Sequence, residues 1–299
     1  MMERIHLPTA DGPRAYSLFA PSSPHPLPLV LFLHGAGGSA EWADEETGWS
    51  RLAASERFAL ALPEGLPPDP AKPPKFLTNP LRWNDGSPGP TGLPSTADDV
   101  AFLARVIEDV SQRIRVDPAR IYTTGFSNGA GMTFRLAGGL AGKLAAIAPV
   151  AGLFWCRETK PARPVPTLYM IGDADPLVPW RGGRVRSPWL HRLVSKPSVP
   201  ESLETWAAAN GCVAVPLVGS SSRGVRVEVY PGPVECRVQV IAGLGHHWPG
   251  GLGRLTPKLA GPPSNALDAT AEIWRFFKNS SNDKSEGLGS SNSELTESI

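Results

Sequence analysis

Between residues 121 and 136 the chain passes from a β-branched and aromatic run, Ile121-Tyr122-Thr123-Thr124, into Gly125-Phe126-Ser127-Asn128-Gly129. A helix-like stretch, Ala130-Gly131-Met132-Thr133-Phe134-Arg135-Leu136, follows at once. A Gly-x-Ser-x-Gly segment set between a strand and a helix constrains the whole architecture. Its serine takes a strained turn, and glycine at 125 and 129 leaves room where strand and helix crowd together. The turn exposes the hydroxyl and aims the next N–H, that of Asn128, at any oxyanion formed on a bound carbonyl. A five-residue pattern alone arises by chance in many proteins. Its setting gives it meaning here.

Elsewhere, strands and helices alternate. Asp11-Gly12-Pro13 predicts a hairpin turn with Ala15–Phe19 as the returning strand. Leu29–Leu33 and Phe58–Leu62 are apolar without alternation, as strands covered on both faces are. Further strands are expected at Leu144–Val150, Thr167–Ile171, Val225–Tyr230 and Arg237–Ile241. Helices are expected at Gly48–Ser55, from Ser95 onward (Val100, Leu103, Ile107 and Val110 on one face), at Glu201–Ala209 and at Leu267–Phe277. The pattern predicts an α/β chain with a mainly parallel sheet and helices on both faces. Residues 63–94 carry ten prolines and read as a functional loop or pocket wall. One domain over residues 1–278 is expected, and the Ser/Asn/Glu-rich residues 279–299 read as a disordered tail.

The charge balance narrows the partners. Twenty-nine basic residues face 28 acidic ones, which argues against nucleic acid or an anionic membrane and for a small or neutral molecule. The first residues lack the apolar core of a signal peptide. The longest apolar run, Leu27–Leu33, contains Pro28 and is too short to span a bilayer. A soluble cytoplasmic protein is expected, with an exported form trimmed of its signal as the alternative. Cys156, Cys212 and Cys236 show no C-x-x-C spacing, so no metal site is expected. Cys212 and Cys236 could bridge in an oxidising compartment and would be buried thiols in a reducing one.

A serine hydroxyl needs a positioned base. In the α/β-hydrolase fold the base is a histidine that follows an acid, both downstream of the serine. His246 and His247 follow a late strand through Ala242-Gly243-Leu244-Gly245, whereas no strand feeds His191. The base is therefore expected at His246 or its neighbour. The acid is expected after the strand ending at Ile171, where Gly172-Asp173-Ala174-Asp175-Pro176 offers Asp175 or Asp173. Pro176 biases Asp175 toward an extended backbone, which favours it. His34-Gly35-Ala36-Gly37-Gly38 ends an earlier strand and offers the second oxyanion donor at Ala36, with Gly37 as the alternative. Each of these groups alone has a bland structural explanation. Their order, each at the C-terminal end of a separate strand, is what carries the reading.

These segments resemble the polyhydroxybutyrate depolymerase and feruloyl esterase-like branch of the α/β-hydrolases, akin to carbohydrate esterase family 1. The matching residues include His34-Gly35, Trp83-Asn84, Asp98–Leu103, Asp117–Tyr122, Gly125–Met132 and Ala148–Gly152. Asp175-Pro176-Leu177-Val178-Pro179-Trp180, Asn210-Gly211-Cys212, Gly245–Gly250 and Ala269–Phe277 continue the series. The resemblance implies Asp175, before Pro-Leu-Val-Pro, as the acid, and His246, two positions before Trp-Pro-Gly, as the base. It differs at Gly243-Leu244-Gly245-His246, where relatives often show Gly-Gly-Gly-His, and in lacking cysteines around Trp83.

The resulting expectation is a serine carboxylic-ester hydrolase working through an acyl-enzyme. It would use Ser127, His246 and Asp175, with an oxyanion hole at Ala36 and Asn128 and no metal or organic cofactor. Feruloyl, aryl or short-chain acyl esters are the expected substrates, and hydroxyalkanoate oligomers the alternative. Trp83, Trp180 and Trp248, together with Trp155, are expected to wall the substrate pocket. The rival from another class is a binding protein on the same scaffold, which would ordinarily lack a triad member or the oxyanion turn.

Overall fold

The structure, a computed structural model, describes residues 2–87, 96–188 and 192–282. Ten strands form one sheet: β1 (Glu3–Thr9), β2 (Gly12–Phe19), β3 (Leu27–Leu33), β4 (Ala59–Pro63), β5 (Val116–Phe126), β6 (Ala146–Val150), β7 (Thr167–Gly172), and, after a separate hairpin, β10 (Leu217–Ser222), β11 (Val225–Val229) and β12 (Cys236–Ile241). Their spatial order is β1-β2-β4-β3-β5-β6-β7-β12-β11-β10. The six central strands from β4 to β12 pair in parallel, and both margins are antiparallel. The separate hairpin joins β8 (Gly183–Arg186) to β9 (Leu193–Lys196).

The helices are α1 (Ala40–Thr47), α2 (Trp49–Glu56), α3 (Asp99–Arg113), α4 (Asn128–Leu140), α5 (Val199–Ala209), α6 (Pro257–Ala260) and α7 (Ala269–Lys278). Side chains alternate across a strand, so one apolar run can feed two cores. Leu29, Leu31 and Leu33 of β3 join the core beneath α3, α4 and α5. Val30 and Phe32 join the core beneath α1, α2 and α7. On α7, Ile273, Trp274, Phe276 and Phe277 are all buried, each contributing about 1.5–3 kcal/mol relative to exposure. Ser39, Asp98, Ser198 and Asp268 cap α1, α3, α5 and α7 by accepting N–H bonds from Trp42, Ala101, Glu201 and Ala271.

Several expectations are corrected. The strand before the serine begins at Val116, well ahead of the Ile121-Tyr122-Thr123-Thr124 run that marks it in the sequence. Helix α1, strands β8, β9 and β10 and the short α6 were not expected; their composition is polar or their length slight. Of the segment expected to be a disordered tail, residues 279–282 are docked. The Ser280 carbonyl accepts the Tyr122 hydroxyl at 2.8 Å, and Asn282 donates its N–H to Ala119 at 2.8 Å. Residues 283–299 lie outside the described residues. Cys212 and Cys236 are free thiols, and a hydrogen bond between them pulls the Cys212 thiol down and pushes the Cys236 thiol up. Among the described residues no helix is long and apolar enough to cross a membrane.

Candidate active site

The parallel strands β5, β7 and β12 end on the same rim, and each delivers one polar side chain there. Ser127 directly follows β5 with φ 56° and ψ −116°, a region a non-glycine residue occupies only at a cost of order 1–3 kcal/mol. The strain is held in place by packing. A Cβ on Gly125 would lie 2.5 Å from the Gly129 carbonyl oxygen, and one on Gly129 would lie 2.1 Å from that of Leu33. Ser127 stands at the N-cap of α4, yet its side chain caps nothing. Its hydroxyl instead donates to His246 Nε2 at 2.8 Å.

His246 follows β12 through a loop braced from two sides. Its own N–H donates to the Ala260 carbonyl of α6 at 2.5 Å, and the Phe126 ring packs 4.8 Å from the imidazole. Its Nδ1–H donates to Asp175 Oδ2 at 2.6 Å. The other oxygen, Oδ1, accepts the N–H groups of Leu177 at 2.8 Å and Val178 at 2.7 Å. Burial pushes the Asp175 carboxyl up, but the His246 imidazole and these N–H groups outweigh it and hold the group below the ordinary carboxylate range. Asp175 therefore stays ionised and fixes which imidazole nitrogen carries the proton.

The competing residues have other partners. Asp173 accepts the Gly243 N–H at 2.7 Å, bracing the loop that carries the histidine. His247 is buried, and its Nε2 donates to the Gly261 carbonyl at 2.9 Å.

The turn after β3 supplies a second N–H. Gly37 donates to the Leu81 carbonyl at 2.7 Å and Gly38 to that of Gly35 at 2.9 Å. The Ala36 N–H has no such partner among the described residues, and Ala36 lines the space beside Ser127. His34 fixes this turn from beneath. It is fully buried, its Nδ1–H donates to the Gly35 carbonyl at 2.8 Å, and its Nε2 accepts the Gly65 N–H at 3.0 Å. Burial pushes its pKa down, so the ring serves as a neutral brace. The backbone of Asn128 opens α4, where first-turn N–H groups point outward and favour negative charge.

Ser127 lies between two cavities. One, of about 150 Å³, is walled by Leu153, Trp155, Val178, Val185, Arg82 and Lys196 among others. The second, of about 580 Å³, is walled by Trp42, Phe76, Leu77, His246, Leu255 and Leu259 among others. The expected tryptophan wall is corrected at three positions. Trp83 is fully buried, and its indole N–H holds the His34 carbonyl at 2.9 Å. Trp248 is buried against Phe32 and Phe126, with its N–H on the Thr270 hydroxyl. Trp180 packs on the core edge beneath the Arg226 guanidinium. Trp83 and Trp248 are taken up by the core and Trp180 packs at its edge, so of these four tryptophans Trp155 is the one that lines a cavity beside Ser127.

The Esterase PHB depolymerase family profile matches residues 14–163, half of the chain and the part holding the turn after β3 and the Ser127 elbow. The chain belongs to that family. It is 33% identical over 290 residues to "Putative esterase NocK" of Nocardia uniformis subsp. tsuyamanensis, covering 90% of this chain and 80% of that protein. It is 34% identical over 186 residues to Feruloyl esterase B of Piromyces equi, covering 56% of this chain but 33% of that longer protein. Among solved structures, an acetyl xylan esterase from Aspergillus awamori superposes with a TM-score of 0.60 at 11% identity, over 92% of this chain and 99% of that one. The fold is that of the α/β-hydrolases, and this member of the Esterase PHB depolymerase family is an esterase.

Proposed function

We propose that the protein hydrolyses carboxylic esters through an acyl-enzyme on Ser127. The observation that carries this is the continuous hydrogen-bonded chain from Ser127 through His246 to Asp175 at a strained elbow. His246 Nε2 takes the Ser127 proton as the oxygen attacks the ester carbonyl. The N–H groups of Asn128 and Ala36 hold the oxyanion that forms. His246 then gives its proton to the departing alcohol. A water molecule, deprotonated by the same nitrogen, attacks the acyl-enzyme, and its collapse frees the acid and restores Ser127. Asp175 stays anionic throughout and stabilises the imidazolium. The sequence of steps draws on no metal or organic cofactor.

The direction of the substrate follows from the same geometry. The alcohol must leave within reach of His246, which lines the larger cavity and not the smaller one. The larger cavity therefore takes the alcohol, and the compact one beside Trp155 takes the acyl group. A small acyl group, aromatic or short-chain, matches that assignment. A second reading, cleavage of hydroxyalkanoate oligomers, draws support from Phe76 and Leu77, 40% and 55% exposed at the alcohol side, where an extended ester chain could lie.

Ser127→Ala tests the central reading. The variant should retain its fold by circular dichroism, lose turnover of p-nitrophenyl butyrate and fail to react with a fluorophosphonate probe. Retained turnover would remove Ser127 from the reaction. Comparing kcat/KM for feruloyl esters with that for hydroxybutyrate oligomers separates the two substrate readings.

A further inference from the structure

Two cations, Lys196 and Arg82, line the smaller cavity with one carboxylate, Asp85. Lys196 ends β9, and Arg82 lies in the proline-rich segment opposite. Among the described residues neither side chain makes an ion pair within 4 Å, although the fold pairs its other deeply buried arginine, Arg14, with Asp99 at 2.6 Å. Arg82 is 8% exposed. Lys196 is partly buried. Burial pushes both groups down from their ordinary ranges, against the pull of Asp85 on each, of Asp175 on Lys196 and of Asp99 on Arg82.

The single carboxylate among the described lining residues is Asp85, and it has local duties. Its Oδ1 accepts both the N–H of Ser87 at 3.0 Å and its hydroxyl at 2.5 Å. Two cations against one carboxylate leave the lining with net positive charge. Segments 88–95 and 189–191, which adjoin lining residues in sequence, contain no aspartate or glutamate. The remaining wall is largely apolar, including Leu153, Trp155, Val178, Val185 and Val194. An unpaired ammonium in such surroundings is costly unless something else supplies the counter-charge.

We infer that the acyl group this enzyme takes carries a carboxylate at its far end, held by Lys196 with Arg82 behind it. The substrate class is then a monoester of a dicarboxylic acid. The ester carbonyl sits at Ser127 between the Asn128 and Ala36 N–H groups, and the apolar wall contacts the methylenes between the two ends. Lys196 is a specificity-determining residue in this arrangement and takes no part in proton transfer. The inference rests on the acyl-enzyme reading and on the assignment of the smaller cavity to the acyl side.

The test compares monoethyl succinate and monoethyl glutarate with ethyl 4-methylpentanoate, whose isopropyl end copies the shape of a carboxylate without its charge. Hydrolysis is followed by titration at constant pH. The wild-type enzyme should prefer one of the monoesters by about tenfold or more in kcat/KM, the effect of a single charge-assisted contact. Lys196→Met should bring that ratio to one or below, and Lys196→Arg should preserve it. The ratio within one preparation cancels the amount of active enzyme, so partial misfolding of a variant does not disguise the result. Turnover of all three esters with no preference for a monoester overturns this inference and leaves the esterase reading standing. An unaltered ratio in Lys196→Met also overturns it. Turnover of none by wild-type enzyme overturns both.

Discussion

The side-chain amide of Asn128 grips the backbone of Trp83 by two bonds. Its Oδ1 accepts the Trp83 N–H at 2.6 Å, and its Nδ2 donates to the Trp83 carbonyl at 3.1 Å. One residue thus presents a backbone N–H beside Ser127 and ties the elbow to the proline-rich wall through its side chain. Trp83 is itself bonded to the His34 carbonyl, so the Ser127 elbow and the turn that carries Ala36 share one bridge. Asn128→Leu should lower kcat by about 10–100-fold through displacement of the donors, with a smaller change in KM. It should also cost about 1–3 kcal/mol of stability, because the Trp83 backbone groups lose their partner. Steady-state kinetics and urea denaturation measure the two effects separately.

Asp175→Asn keeps the size of the side chain and removes its charge. The imidazole then loses its tautomer control, and kcat should fall by about 10⁴-fold. Stability should respond in a defined direction. Because the folded carboxyl is held below its ordinary value, its contribution is present above the unfolded carboxylate pKa of about 3.9 and is lost as pH falls through the lower folded value. Wild-type denaturation midpoints should therefore drop on acidification below about pH 4, and part of that drop should be missing in Asp175→Asn.

Two glycine-to-alanine changes should differ sharply. A Cβ at Gly129 meets the Leu33 carbonyl oxygen at 2.1 Å and the His34 carbonyl oxygen at 2.6 Å, both rigid backbone. Gly129→Ala should cost about 1–3 kcal/mol or more and displace the Ala36 turn, with loss of activity. At Gly142 nothing lies within 4 Å. Gly142→Ala should shift stability by no more than about 0.5 kcal/mol and leave turnover intact. Thermal melts with activity assays distinguish the pair.

The tryptophans separate along another line. Trp83→Phe should lower stability by about 1–3 kcal/mol through the unpaired His34 carbonyl and leave acyl preference unchanged. Trp155→Ala, in the wall of the smaller cavity, should raise kcat/KM for longer acyl chains relative to acetyl. A p-nitrophenyl ester series from acetate to octanoate reads that ratio.

Local chemistry explains which parts of the site were legible in advance. Gly125, Ser127 and Gly129 are required by one tight turn, so their spacing is visible in five residues. The apolar runs of β3, β4 and β7 are visible because both faces of those strands are buried. The role of Trp83 was not visible, since an indole reads alike in a core and in a pocket wall. Lys196 gave no signal at all. It lies in a four-residue strand of mixed polarity, and nothing within that stretch tells where its ammonium ends.

The amino-acid sequence by itself determined the strand-and-helix alternation, the Gly-x-Ser-x-Gly turn and the order in which Ser127, Asp175 and His246 leave the sheet. Those features follow from steric demands and side-chain periodicity over a few residues. Only the tertiary structure decided which of the four expected tryptophans lines a cavity beside Ser127. Asp175 and His246 were already favoured by Pro176 and by the resemblance, and the tertiary structure adds the partners: Asp175 and His246 are bonded to each other, while Asp173, His247 and Gly37 are held elsewhere. These partners lie well along the chain, as Asp173 finds Gly243 and Gly37 finds Leu81. Hydrogen-bond geometry and burial exist only once distant segments have packed, and the charge lining the smaller cavity emerges from that packing as well.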